Sequence, residues 1–504
     1  MANGVNPLIG MDFPDPDVIR VGDTYYMIST TMHFFPGGQI LRSYDLLHWE
    51  ICSYLYYTLE STAGETLEEE NTIYGHGMWA ASLRYHDGMF YAVFIAHEWD
   101  RTFLFTAEKP EGPWEKRYIE GIYHDCSLFF DEDGKTYLVY GNREIQLTEM
   151  KSDLSAPQPG GLDRIIIQDA PGAFLGYEGS HLYRINGKYV LFLIHSNQQR
   201  WFRTQACFIS DQLDGQWEGG DVLASDLDGL NSGVAQGGIV DTPDGKWYAV
   251  LFQDRGAVGR IPVLIPITWN DCGYPVFGKV SKKINTVSTR NEYQYAPLAD
   301  SDSFTGEPEH GHSGGGEWAK LKDIWQFNHE PACGYWRIVE GSFRIRTDKL
   351  SRSVEYARNT LTQRTREPRC AAEVYVNGIN MNDGDVAGIC LLTGTYGLIG
   401  IERTCSGFDL VTISRNDGKG EEKELNRVAI TKSSVRLRVE VDFTDRRDEV
   451  CFFWWQDDHW NKAAPAHPIR FTLDHFTGCR FGLFMYSTRK AGGEASFQRF
   501  VYTV

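Results

Sequence analysis

Three carboxylic acids stand at matching places in a repeated pattern. Asp15 in FPDPD, Asp125 in HDCSLFF and Glu178 in YEGSH each open a strand-like stretch that leads, after a set interval, to a turn and a second strand. The interval to the turn glycine runs from Asp125 to Gly134 and from Glu178 to Gly187, nine residues each, and from Asp15 to Gly22, seven. Two more stretches keep the nine-residue interval with other side chains in first place, Trp79 before Gly88 and Gln236 before Gly245. Solvated surface acids have no reason to recur at one register. A pocket in which one group gives a proton while another takes one does.

The elements that must position these residues are themselves legible. One hairpin signature occurs five times: GDTYYMIST from Gly22, DGMFYAVFI from Asp87, DGKTYLVYG from Asp133, NGKYVLFLI from Asn186 and DGKWYAVLF from Asp244. Asp-Gly and Asn-Gly supply the positive φ angles of tight hairpins, and the aromatic and β-branched run that follows suits a buried strand. A tryptophan recurs later in four of the units, at Trp49, Trp114, Trp217 and Trp269. Units of this size with variable loops suit four-stranded blades, and five of them predict a β-propeller over residues 1–298. In that architecture the first strand of each blade lines the central channel, so Asp15, Trp79, Asp125, Glu178 and Gln236 converge at one mouth. Asp12 and Asp17 beside Asp15, and Asp131 and Asp133 in DEDGK, read as turn formers.

Beyond the fifth unit the repeat stops. A connector and the glycine-rich EHGHSGGGEW lead into alternating stretches such as YWRIVEGSFRIRT and SVRLRVEVDF, which predict a β-sandwich over residues 299–504. No stretch has a convincing helical period, so the whole chain reads as all-β.

Bulk properties narrow the function. A chain of 504 residues exceeds what one hydrophobic core serves. The net charge of -19 argues against nucleic acid, whose phosphates would be repelled, and favours a small neutral ligand. No run of about 20 apolar residues predicts a membrane span. The N-terminal MANGVNPLIGMDFPDPDV lacks the basic and apolar regions of an export signal, so a cytoplasmic location is expected. The ten cysteines are scattered without a C-x-x-C pair, as free thiols would be. A homo-oligomer is compatible with all of this.

Three blocks, NPLIGMDFPDPDVIRVGDTYYMISTT, HDCSLFFDEDGKTYLV and YEGSHLYRINGKYVLF, resemble glycoside hydrolase family 43, and LKDIWQFNHEP resembles the block that opens the sandwich of its β-xylosidase branch. The resemblance implies that Asp15 is the general base, Glu178 the general acid, and Asp125 the carboxylate that orients the acid and helps to keep it protonated. It also implies inversion, in which water attacks one face of the sugar as the acid protonates the leaving oxygen on the other. Phe35 in HFFPGG and Trp79 in GMWAAS would line the pocket, and Gln236 would face it. Arg260 in VGRIP would reach a sugar hydroxyl, or pair with an acid.

Gln236 stands where relatives carry a histidine near a bound metal, so no active-site metal and no required cofactor are expected, while a structural calcium ion in the sandwich stays open. Where relatives send a phenylalanine into the pocket from FTGAFVG, this chain has FTGCRFG, which puts Arg480 or Phe481 in that place. The leading reading is an exo-acting β-xylosidase on small xylo-oligosaccharides. An α-L-arabinofuranosidase or a dual-activity enzyme is the nearest rival, and a non-catalytic carbohydrate-binding propeller the remote one.

Overall fold

The computed structural model describes residues 2–169, 172, 174–196, 199–416 and 420–504. Five antiparallel sheets follow one another along the first part of the chain, each laid down from the inner strand outward. The first blade contains Asp17–Val21, Thr24–Ser29, Gly37–Ser43 and Glu50–Tyr56. The second runs from Ser82–His86 to Glu115–Glu120, the third from Ser127–Phe130 to Asp163–Gln168, and the fourth from Glu178–Ile185 to Glu218–Leu223. The fifth has a split inner edge, Val234–Ala235 and Ile239–Asp241, paired with Trp247–Asp254, then Arg260–Trp269 and Pro275–Phe277. This is the predicted propeller. All five turn glycines adopt positive φ, from 63° at Gly22 to 84° at Gly134, with no neighbour among the described residues where a side chain would stand. Backbone conformation, and not lack of space, therefore selects them.

Hydrogen bonds around the axis hold the blades in a ring. Asp17 of the first blade is wholly buried. It accepts from the Leu83 N–H at 2.8 Å and from Arg84 Nη1 at 2.6 Å in the second blade, and lies 3.2 Å from His181 Nδ1 in the fourth. Arg84 Nη2 in turn donates to Ser127 Oγ of the third blade at 2.7 Å, and that oxygen also accepts from the Leu182 N–H of the fourth at 3.2 Å. The Ile239 N–H of the fifth blade donates to Tyr183 Oη of the fourth at 3.0 Å, and the Gly238 N–H closes the circle onto Pro16 O at 2.8 Å. Burial pushes the Asp17 carboxyl up, but Arg84 and His181 outweigh it and hold the group below its ordinary value. Asp17 is thus an axial clamp and not the turn former its neighbouring proline suggested.

The second part forms two facing sheets around a core that includes Trp325, Phe327, Phe343, Phe452, Phe481 and Phe497. One sheet has Arg369–Asn380 and Ser434–Asp442 at its centre. The other has Asp385–Leu392 and Arg480–Ser487 at its centre, and continues through Leu361–Arg364 and Gln326–Asn328 to a last strand, Phe34–Phe35. That last strand belongs by sequence to the first blade. Phe35 pairs with Phe327 and Phe34 with Asn328, so the two domains share a sheet, and the division expected at 298/299 is crossed by this strand.

Candidate active site

The mouth of the propeller channel opens into a cavity of about 430 Å³, which reaches from the axis to a loop of the sandwich. Asp15, Trp79, Asp125, Glu178 and Gln236 all line it, one from each blade, as the repeat register requires. Three of the five adopt a left-handed backbone that costs a side-chain-bearing residue free energy: Asp15 at φ 51°, Asp125 at 46° and Gln236 at 59°. In the fourth blade the deviation falls one residue later, on Gly179 at φ 64°, with a register shift between Glu178 and His181. In these four blades the kink turns the chain at the inner end of the blade, where the side chain meets the channel mouth.

Asp15 is held from two sides. Arg260 Nη1 donates to both of its carboxylate oxygens, at 2.9 and 3.1 Å, and Thr30 Oγ1 donates to Oδ2 at 2.8 Å. Arg260 is itself buried; its Nη2 donates to Phe476 O at 3.3 Å, and its guanidinium lies 4.4 Å from the centre of the Phe476 ring. Of the two roles considered for Arg260, pairing with an acid is the one its geometry serves, although the residue also lines the cavity. Asp12 is a brace: its carboxylate accepts from the Arg260 N–H at 2.7 Å and from the Gly478 N–H of the sandwich at 2.8 Å.

Asp125 and Glu178 form the opposite wall together with His124. His124 Nε2 lies 3.4 Å from Glu178 Oε2 and 3.8 Å from Asp125 Oδ1. Asn142 Nδ2 donates to the same Glu178 oxygen at 2.5 Å. Burial pushes the Asp125 carboxyl up to about 7, with His124 opposing and the negative charges of Glu178 and Asp15 adding to the rise. The Asp125 charge pulls the His124 imidazole up to about 9 against its own burial, with Glu178 assisting. Ligand atoms of His124, Asp125 and Glu178 all lie within 4.8 Å of one another, a spacing for which this ion-paired group is sufficient reason. The Gln236 N–H is tied to Gln205 Oε1 at 2.8 Å. On the floor Arg203 Nε donates to Asp254 Oδ2 at 2.5 Å.

The sandwich supplies the outer wall through Phe471, Leu473 and Phe476. Phe476 faces Trp79 at 5.7 Å between ring centres, and Trp79 rests on His97 at 3.9 Å. Two expectations fail here. Arg480 does not reach the cavity: it is buried beneath the shared sheet, where Nη1 donates to Gln326 Oε1 at 2.9 Å and the guanidinium sits 3.4 Å over the Phe34 ring. Phe481 is core in the sandwich. The aromatic sent into the pocket is Phe476, the first residue of the FTGCRFG block. The strand that follows buries positions 480 and 481, whereas the left-handed Phe476, at φ 55°, still belongs to the loop.

Phe35 is likewise not a pocket residue. It is 1% exposed, packs edge-on against Tyr56 at 5.7 Å, and is fixed by its pairing with Phe327. Full burial of such a ring contributes about 1.5–3 kcal/mol to stability, so the segment is better satisfied as an edge strand than exposed in a pocket. The sequence reading missed His124, Asn142, Arg203 with Asp254, and Phe476. Only His124 carried a usable signal, as a titratable neighbour of Asp125 within HDCS.

Comparison with known proteins agrees with this architecture. Residues 5–275 match the model of glycosyl hydrolases family 43, and residues 317–503 match that of the β-xylosidase C-terminal concanavalin A-like domain. A β-xylosidase of Formosa agariphila is 25% identical over 99% of this chain and 90% of its own length. A non-reducing end α-L-arabinofuranosidase of Bacteroides ovatus is 27% identical over 87% of this chain and 79% of its own. Among solved structures, the bifunctional GH43-CE protein of Bacteroides eggerthii superposes with a TM-score of 0.91 at 36% identity; the match takes in 99% of this chain and 63% of that one. With a matched model spanning more than half of its length and an acid-lined propeller pocket closed by the matching sandwich, the chain is a glycoside hydrolase that belongs to family 43.

Proposed function

We propose that this enzyme removes single terminal xylose units from small xylo-oligosaccharides with inversion, using Asp15 as general base and Glu178 as general acid. The observation that carries the reading is the gathering of Asp15, Asp125 and Glu178 in one cavity whose outer wall comes from the second domain. A cleft for the middle of a polymer needs two open ends, whereas a pocket walled by Phe471, Leu473 and Phe476 suits the end of a chain. The names of the Formosa relative and of the matched C-terminal domain favour xylose.

In the proposed cycle Asp15, oriented by Arg260 and Thr30, takes a proton from water as the water attacks the anomeric carbon. Glu178 gives its proton to the departing glycosidic oxygen, which leaves with the electron pair of the broken bond. Asp125, buried beside His124, adjusts the charge around the acid. Trp79 and Phe476 offer ring faces to the sugar.

The second reading, an α-L-arabinofuranosidase or a dual-activity enzyme, has support from the Bacteroides ovatus relative. The test is turnover of xylobiose, 4-nitrophenyl β-D-xyloside and 4-nitrophenyl α-L-arabinofuranoside by wild type and by Glu178→Ala. Xylobiose cleavage that collapses in the variant is the expected result. Activity on the arabinoside alone would select the second reading.

A further inference from the structure

We propose that His124 and Asn142 are positioning residues for the general acid: by holding Oε2 of Glu178 together, they make Oε1 the oxygen that carries and delivers the proton. This rests on the reading of Glu178 as the acid. A carboxylic acid has two oxygens, and only the one facing the glycosidic bond is useful to the reaction. Oε2 accepts from Asn142 Nδ2 at 2.5 Å and lies 3.4 Å from His124 Nε2. Occupied by two N–H donors, that oxygen is the natural acceptor of the pair, and the hydroxyl falls to Oε1.

The scaffold behind these donors is interlocked with the acid. Asn142 sits on the turn that follows strand Thr136–Tyr140. On one side of it the Gly141 N–H donates to His124 O at 2.9 Å; on the other the Arg143 N–H donates to Tyr177 O, next to Glu178, at 2.8 Å. Backbone bonds thus fix both donors against the strand that bears the acid. The His124 ring is further confined by Trp79 and His97, at 5.9 and 6.3 Å between centres. Its raised proton affinity, caused first by Asp125, keeps a hydrogen on Nε2.

When the proton passes from Oε1 to the glycosidic oxygen, the electron pair of the O–H bond remains on the carboxylate. The two N–H donors then meet a full negative charge, so their bonds strengthen as the reaction proceeds and lower the barrier.

The experiment compares kcat/KM of wild type, His124→Leu, His124→Gln, Asn142→Ala and Glu178→Ala on xylobiose and on 2,4-dinitrophenyl β-D-xyloside, with the corresponding α-L-arabinofuranosides in parallel. Dinitrophenolate departs without protonation, so only the first substrate needs the acid. General acid assistance is worth about 10²–10⁴-fold, and loss of one anchor is expected to remove about 10–100-fold on xylobiose and less than about threefold on the dinitrophenyl substrate. His124→Gln, which keeps an N–H donor near the Nε2 position, recovers most of the loss. Equal losses on both substrates, no loss on xylobiose, or a glutamine variant no better than leucine would overturn the proposal. If Glu178→Ala itself lacks the split between substrates, the assignment of Glu178 as acid fails first, and the two failures are told apart.

Discussion

Replacing Arg260 with methionine leaves the Asp15 carboxylate buried without its cation. The pair is almost closed to solvent, with side chains 3% and 7% exposed, and both carboxylate oxygens depend on the same guanidinium nitrogen. Removing one partner of a buried pair costs about 3–5 kcal/mol, because the remaining charge keeps its desolvation penalty and loses its compensation. Thr30 holds one oxygen but brings no charge. With a urea slope of about 3 kcal/mol/M, a loss of about 4 kcal/mol moves the unfolding midpoint down by roughly 1 M. The assay is urea unfolding of wild type, Arg260→Met, Asp15→Asn and the double variant. The double variant, which buries two neutral groups of similar volume, should regain most of the lost stability while remaining inactive. A single variant that costs less than about 1 kcal/mol, or a double variant no more stable than Arg260→Met, would refute the argument.

Asp125 titrates near 7 in the folded protein against 3.8 in the unfolded chain, so its charge destabilises the fold fully above pH 7 and not at all below about 4. Asp125→Asn should therefore gain more stability over wild type at pH 8 than at pH 5, by about 2–3 kcal/mol in urea unfolding, and lose activity at both; an equal gain at both would contradict the shift. His33, His329 and His475 meet in a buried cluster with Tyr74 at the domain interface, with ring centres 4.0–5.9 Å apart. Burial first holds all three below the usual histidine range, helped by the other rings and Arg480 at His33, by His475 and Lys349 at His329, and by Arg415 at His475, where Asp474 opposes it. A depressed histidine favours the unfolded state as pH falls below 6.5, by about 1.4 kcal/mol per unit for each group. Tm should then fall steeply between pH 6.5 and 5, and His33→Phe should flatten the slope; a flat wild-type profile would show that the cluster does not contribute. Phe476→Ala removes the wall opposite Trp79 and should cut kcat/KM on xylobiose by about 10–100-fold with little change in Tm; unchanged kinetics would take Phe476 out of the pocket.

The repeat was legible because it is local. A two-residue turn demands glycine at positive φ, and Gly22, Gly88, Gly134, Gly187 and Gly245 announce five hairpins with no knowledge of anything distant. Register then carries the argument from turn to inner strand, and so to Asp15, Asp125 and Glu178. Trp49, Trp114 and Trp217 stand just before the outermost strands of their blades, while Trp269 ends the third strand of the fifth. What stayed hidden was made by contacts between distant segments. The resemblance alone places Phe35 in the pocket, and nothing local corrects it, since its partner, Phe327, is nearly three hundred residues away. The same resemblance offers Arg480 or Phe481 for the pocket, because nothing in FTGCRFG tells where the loop ends and the buried strand begins. Arg203 with Asp254, and Asn142 with Glu178, are pairs of ordinary polar residues whose meeting depends on blade packing alone.

The strand Phe34–Phe35 makes the protein difficult to take apart. Cutting the chain between its domains would leave Gln326–Asn328 with an unpaired edge, and the propeller with the Phe34 ring, now packed in the sandwich, in water. It would also strip the pocket of Phe476 and open the Asp12 brace. The sandwich of this chain cannot be exchanged for another module without rewriting a loop of the first blade, and fragments expressed alone should stick to one another along the severed edge.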